Sequence, residues 1–149
     1  MRVAVGADHG GYPLNERIIE ELKSAGHEVI DFGTHDGSQA DDYPDYARLV
    51  GKSVQSGETE RGIIICGSGV GASVAANKLK GVRACLCHDT YSAHQGVEHD
   101  DINVLCLGAR IVGVALALEL MRAFLGARFT GEERHARRLA KVIEIEAQG

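Results

Sequence analysis

The chain has 149 residues, of which 44% are apolar and 25% are charged, a composition typical of a soluble globular protein with one sizeable core. Its net charge of −5 argues against wide contact with nucleic acid or an anionic membrane surface, but leaves room for a local basic pocket. No basic and apolar leader follows Met1, and the apolar stretch 111–125 is too short to span a bilayer, so we expect a cytoplasmic protein with no nucleic-acid or membrane partner.

Short apolar runs alternate with longer amphipathic ones. The predicted strands are apolar on both faces, as in a parallel sheet covered on both sides, and span 2–6, 28–32, 62–66, 82–86 and 103–107. The predicted helices cover 13–26, 43–56, 70–80, 89–98, 112–125 and 132–146. These repeating units predict one α/β domain over residues 1–149, with helices on both faces of a five-stranded parallel sheet and a C-terminal helix.

In such a sheet, ligands bind at the carboxyl ends of the strands. The third strand ends in Cys66 and runs into a glycine-rich loop that opens a helix: Gly67, Ser68, Gly69, Val70 and Gly71. Backbone N–H groups in a loop of this kind form an anion site. A thiol beside a helix N-terminus readily forms the thiolate, which serves as a nucleophile or base.

Three other interpretations of these residues stay open. A tight turn with Cys66 packed in the core needs no ligand. A dinucleotide site needs the third glycine one place later, although Asp89 follows where a ribose-binding acid lies. A metal site would use a cluster that lacks the usual ligand spacing: Cys85, Cys87, His88, His94 and His99. All four cysteines, including Cys106, are expected to be reduced apolar side chains.

Basic residues indicate a phosphate site. Arg134 and Arg138 are four residues apart and project from one face of the last predicted helix, a pattern that by itself also fits a solvated basic face, whereas Arg137 is expected at the surface. Arg110 follows the fifth strand and His9 follows the first. Because guanidinium groups suit phosphate oxygens, a small phosphorylated ligand fits an acidic protein with one basic cluster.

His99 and Asp100 precede the fifth strand, whereas Cys66 ends the third. A strand of about five residues spans roughly 17 Å, so these groups are too far apart to share a small substrate within one chain. His99 is therefore either structural or part of a neighbouring subunit's site.

Seven stretches in order carry a resemblance to a known family: GADHGGY (6–12), VIDFGT (29–34), DYPDYA (42–47), GIIICGSGVG (62–71), AANKLKGVRA (75–84), EHDDINVLCLGAR (98–110) and RHARR (134–138). Together they resemble ribose-5-phosphate isomerase B, in the group that includes galactose-6-phosphate isomerase subunits. The resemblance runs almost end to end. It implies a metal-free aldose–ketose isomerase without a cofactor, on a Rossmann-like fold, with sites shared between two subunits of a homodimer or of a tetramer.

The resemblance also implies roles for single residues. Cys66 matches the family's catalytic base, and His99 matches the residue that opens the sugar ring. The glycine-rich loop, Gly67 to Gly71, matches the segment that holds the enediolate oxygens. The other matched substrate contacts are Asp8, His9, Tyr43 and Asp100, with Arg110, Arg134 and Arg138 at the phosphate end.

Three departures from the family pattern stand out. Ser68 replaces a common threonine, which keeps the hydroxyl, and the stretch SAHQGVEH (92–99) lacks an arginine often found before Glu98. Asp100 replaces the usual asparagine, which places a carboxylate near a sugar phosphate. The expected reaction is interconversion of ribose 5-phosphate and ribulose 5-phosphate through an enediolate, in the pentose phosphate pathway. The alternatives are a six-carbon sugar phosphate (galactose 6-phosphate or allose 6-phosphate) and a non-catalytic phospholigand or nucleotide-binding domain.

Overall fold

The computed structural model describes residues 1–149 and contains one sheet of five parallel strands in the order β2-β1-β3-β5-β4. The strands are β1 Arg2–Ala7, β2 Glu28–Asp31, β3 Arg61–Cys66, β4 Ala84–Leu86 and β5 Val104–Gly108. The helices are α1 Tyr12–Ser24, α2 Tyr43–Gln55, α3 Val70–Ala76, α4 Thr90–Asp100, α5 Val114–Gly126 and α6 Glu133–Gln148. The predicted Rossmann-like α/β/α fold with a five-stranded parallel sheet is confirmed.

The sheet is buried on both faces, which explains why its strands are apolar at successive positions. Val3, Val5 and Ile63 point into the larger core, which α1, α4 and α5 cover. Ala4 and Ile64 point into a smaller core beneath α2 and α3. Full burial of an isoleucine or valine side chain stabilises a fold by about 1.5–3 kcal/mol, so these positions dominate the packing of the sheet.

The sheet has a topological switch point between β1 and β3, where the order in which strands are added reverses. From β1 the chain crosses to β2 on one side, and then returns to β3 on the other side, so the carboxyl ends of β1 and β3 lie next to each other. The Asp8 N–H, just beyond β1, donates to the Ile65 carbonyl at 3.3 Å. A reversal of this kind opens a crevice beyond the strands, where ligands bind in α/β sheets.

Several predicted boundaries differ from those of the structure, three of them around Asn77 and His99. Helix α3 ends at Ala76 rather than at residue 80, because the Asn77 side chain leaves the helix and bonds both the N–H and the carbonyl of Ala84. The same region shortens β4, which begins at Ala84 rather than at residue 82. Helix α4 continues to Asp100, so His99 and Asp100 lie in its last turn rather than in a linker.

Helix α6 is held at the amino end of the sheet by few contacts. Its single buried residue is His135, and Glu146 accepts the Gly81 N–H at 2.8 Å just before β4. Apolar side chains of this helix, Val142 and Ile145, are more than half exposed. None of the helices is both long and apolar enough to cross a membrane.

Gly11 and Gly113 offer a matched test of backbone packing at the carboxyl end of the sheet. Both are N-cap residues with φ near −85°, of α1 and α5 respectively (φ −87° and −81°). A Cβ at position 11 would lie 2.0 Å from the Ile65 carbonyl oxygen, whereas a Cβ at position 113 would meet nothing within 4 Å. We expect Gly11→Ala to lower the free energy of unfolding by about 1–3 kcal/mol more than Gly113→Ala, measured by urea denaturation. Equal losses in the two variants would mean that glycine stands at position 11 because of an N-cap preference and not because of the backbone contact.

Candidate active site

Cys66 ends β3 and is 5% exposed. The Gly69 N–H donates to its sulfur at 3.0 Å. Gly69 has φ +81°, in the left-handed region that glycine adopts without strain, and this turn aims its N–H back at the thiol. The N–H groups of Gly67 and Ser68 donate to no acceptor within the chain, which leaves them available to an anion.

Tyr43, at the start of α2, forms one wall beside this loop. A Cβ at Gly71 would lie 2.5–2.9 Å from atoms of the Tyr43 ring, so the glycine allows the ring to lie directly on the first turn of α3. Ser68 accepts the Val70 N–H through its hydroxyl at 3.3 Å, and the Val70 side chain is 52% exposed. The loop is thus fixed by its own hydrogen bonds and by an aromatic ring.

Asp8 and His9 follow β1 on the other side of the crevice. Asp8 is 7% exposed and accepts the Gly11 N–H at 2.9 Å. His9 Nδ1 lies 2.7 Å from Asp41 Oδ1, and the His9 N–H donates to the same oxygen at 2.8 Å. Since an ionised carboxylate only accepts, His9 is the donor in the Nδ1 contact. Tyr46 donates to the other Asp41 oxygen at 2.9 Å.

The pKa of Asp41 is lowered below its usual range. Burial of the carboxyl acts to raise the pKa, but the hydrogen bonds from the backbone and ring of His9 and from Tyr46 outweigh it. Asp41 therefore stays ionised and holds the His9 ring in place. The sequence analysis did not identify Asp41, which lies in the irregular segment before α2.

Arg110 joins the Cys66 half of the site. Its N–H donates to the Gly67 carbonyl at 3.0 Å, and a Cβ at Gly67 would lie 3.4 Å from its guanidinium. Nearby, His88 Nε2 accepts the Gly108 N–H at 3.0 Å. The carboxyl end of the sheet thus brings together nine of the predicted substrate contacts with the predicted base: Asp8, His9, Tyr43, Gly67, Ser68, Gly69, Val70, Gly71 and Arg110, with Cys66.

The remaining predicted residues lie at the opposite end of the sheet. His99 is in the last turn of α4, where the Gln95 amide lies 2.7 Å from its Nδ1 and the His135 ring stacks on it. Arg134 donates to His135. Burial of the His135 ring is the largest cause that lowers its pKa, and the charges of His99, Arg134 and Arg138 lower it further. The i, i+4 spacing of Gln95 and His99 was visible in the sequence, but this pairing was not predicted.

The last turn of α4 is fixed from outside the helix. Arg83 donates to the Asp101 carbonyl at 2.7 Å and to its carboxylate at 2.9 Å. Asp101 is the one non-glycine residue with positive φ, at 51°, so this pair holds a strained turn directly after Asp100. Asp100 itself is exposed at the surface.

The structure bears on two of the alternative interpretations, a dinucleotide site that uses Asp89 and a metal site between residues 85 and 99. Asp89 is the N-cap of α4 and accepts the Ser92 N–H at 2.7 Å, a local role that needs no ribose. The cysteine and histidine cluster between 85 and 99 does not gather three ligand atoms. The group close enough to share an ion is Asp8, His9 and Asp41, in which a hydrogen bond already joins two members.

With this geometry in place, similarity to known proteins assigns the family. The sequence profile of the family described as Ribose/Galactose Isomerase matches residues 3–142. The chain belongs to this family. It is 46% identical to ribose-5-phosphate isomerase B of Escherichia coli over 145 residues, covering 97% of this chain and 96% of that protein.

Solved structures agree with the assignment. The ribose-5-phosphate isomerase B of Clostridium thermocellum superposes with a TM-score of 0.96 at 49% identity, covering 99% of both chains. The ribose-5-phosphate isomerase B of Mycoplasma genitalium, solved with bound ribulose 5-phosphate, superposes with a TM-score of 0.93 at 40% identity, covering 99% of this chain and 97% of that one.

Asp41 and Asp42 allow a matched test of the His9 contact. We expect Asp41→Ala to lower the free energy of unfolding by about 1–3 kcal/mol at pH 7, because part-buried hydrogen bonds to a charged group are lost. Since the folded pKa of Asp41 is lowered, its stabilisation is complete above the unfolded value of about 3.9 and is lost as the pH falls through the folded value. Denaturation curves between pH 7 and pH 3 measure this. Asp42→Ala, at an exposed neighbour, should change little, and a pH-independent loss for Asp41→Ala would contradict the ionised role.

Proposed function

We propose that this protein interconverts ribose 5-phosphate and ribulose 5-phosphate, as an aldose–ketose isomerase of the pentose phosphate pathway. The observation that carries the proposal is the Cys66 sulfur, held by the Gly69 N–H beside free N–H groups in a family that includes ribose-5-phosphate isomerase B. We place the activity in the cytoplasm, because all four cysteines are unpaired thiols and the proposed base requires a reduced one.

Cys66 is the proposed base of the isomerisation. Its thiolate removes the proton from C2 of the open-chain aldose, which leaves an enediolate with charge on O1 and O2. The N–H groups of Gly67 and Ser68 are available to these oxygens, and fixed donors aimed at developing charge are the strongest aid to such a step. A proton passes from O2 to O1 and the thiol returns its own proton to C1, which leaves the carbonyl at C2 and completes the ketose. One group that both takes and gives the proton suits this chemistry.

Ring opening is a separate proton transfer, and His99 is its proposed catalyst. A furanose must move a proton from the C1 hydroxyl to the ring oxygen before C2 can be deprotonated. His99 has its Nδ1 beside Gln95, which leaves Nε2 to exchange that proton. In one chain His99 lies beyond the amino end of β5, whereas Cys66 pairs with Gly108 at the other end.

We infer that the active unit is a homodimer in which each site combines two chains. A two-fold axis brings the amino end of one sheet over the carboxyl end of the other, so the partner supplies His99 to the Cys66 of the first chain. Asp100, Arg134 and Arg138 arrive with His99, since α4 and α6 are in contact through the stacked histidines. Arg110 and His9 belong to the Cys66 half, so the substrate phosphate meets basic groups of both chains.

The sugar is the finer point of the proposal. The family description includes galactose as well as ribose, and a six-carbon sugar phosphate would use the same proton transfers. Asp100 bears on this choice, because a carboxylate opposes a phosphate dianion through like-charge repulsion. A kinetic comparison therefore decides whether a pentose phosphate or a hexose phosphate is the better substrate.

Cys66→Ser tests the base. A hydroxyl fills nearly the same volume but does not form an anion near neutral pH, so kcat for ribose 5-phosphate should fall by about 10²–10⁴-fold with KM nearly unchanged. Cys106→Ser is the control, since this thiol lies in the core behind Cys66 and burial raises its pKa.

The same assay compares ribose 5-phosphate with galactose 6-phosphate and allose 6-phosphate as kcat/KM. A higher value for either hexose phosphate would replace the pentose assignment. Near-normal turnover by Cys66→Ser would remove Cys66 from the reaction.

A further inference from the structure

His135 is an unusual anchor for a helix. It is 3% exposed and is the one buried residue of α6, a position that apolar side chains normally occupy. Its ring stacks on that of His99, with centroids 3.9 Å apart and planes 18° from parallel. The helix is thus fastened to α4 through a contact between two imidazoles.

The hydrogen bonding of His135 keeps its ring neutral. Arg134 Nε donates to His135 Nε2 at 3.2 Å, and a nitrogen that accepts carries no proton. Burial, together with the charges of His99 and Arg134, lowers the pKa of His135 below its usual value. A neutral ring can lie against His99 whether or not His99 carries a charge, so the contact survives a proton transfer at His99.

Two contacts together restrict the His99 ring. The Gln95 amide holds one edge at Nδ1, and His135 covers one face. A side chain held at an edge and a face has one orientation open to it, with Nε2 at the free edge.

We propose that His135 is a positioning residue for ring opening: its flat ring holds His99 so that Nε2 faces the sugar bound at the partner subunit's Cys66. This rests on the proposed isomerase function. His135 exchanges no proton with the substrate. A flat ring of any kind should therefore serve, whereas a branched side chain of similar size should not.

His135→Phe and His135→Leu separate these roles, because both fill the site and only phenylalanine keeps a flat face. For ribose 5-phosphate we expect kcat of His135→Leu to fall by about 10–100-fold with KM within about twofold, as for a displaced catalytic group. We expect kcat of His135→Phe to stay within about threefold of wild type, since an aromatic ring still stacks on His99. Arg137→Ala, an exposed change on the same helix, is the control.

The possible outcomes are distinct. Equal losses in the Phe and Leu variants, no loss in either, or an effect confined to KM would each overturn the positioning role. An inactive wild-type protein would instead overturn the proposed function. In that case ¹H NMR still tests the contact, because the ring-current shift of the His99 ring protons should persist in His135→Phe and be lost in His135→Leu.

Discussion

The length of β5 separates the polar side chains around Cys66, at the carboxyl end of the sheet, from those around His99, at the amino end. Cys66 pairs with Gly108 at the carboxyl end, and His99 lies in the last turn of the helix that leads to Val104 at the amino end. Five paired residues span roughly 17 Å, and a buried parallel strand cannot shorten. No rotation of side chains closes this gap, so a small substrate can meet both groups only if a second chain supplies one of them.

The two ends of the sheet are built in different ways. At the carboxyl end the β1 and β3 loops meet backbone against backbone, with Gly11 close to the Ile65 carbonyl and Gly69 directed at the Cys66 sulfur. Such a frame fixes hydrogen-bond donors before the substrate arrives, which suits stabilisation of an enediolate. At the amino end, the stacking of His135 on His99 and an exposed helix hold the proposed proton-transfer group. Its looser attachment is consistent with the proposal that a partner chain completes this part of the site.

The sequence alone was sufficient for the fold and for the placement of most predicted site residues at the carboxyl end of the sheet. Strands apolar on both faces imply a parallel sheet, and a parallel sheet places the residue after each strand at one edge, where Cys66 and His9 lie. Asp41 was missed because its segment has no period, and it meets His9 only through folding. His135 was missed because a histidine between arginines resembles a surface position, and its burial depends on where α6 packs. The end of α3 was also misplaced in the prediction, because the hydrogen bonds between Asn77 and Ala84 that end the helix form only through folding.

Subunit exchange between two inactive proteins tests the shared site most directly. Cys66→Ala and His99→Ala each disable both sites of their own dimer, whereas a mixed dimer has one site with both lesions and one with none. Random pairing of equal amounts makes about half of the dimers mixed, so activity should recover to about a quarter of wild type, by counting from the two-fold symmetry. If mass spectrometry demonstrates exchange and activity stays at the level of the separate variants, both residues serve one chain's site and the shared arrangement is wrong.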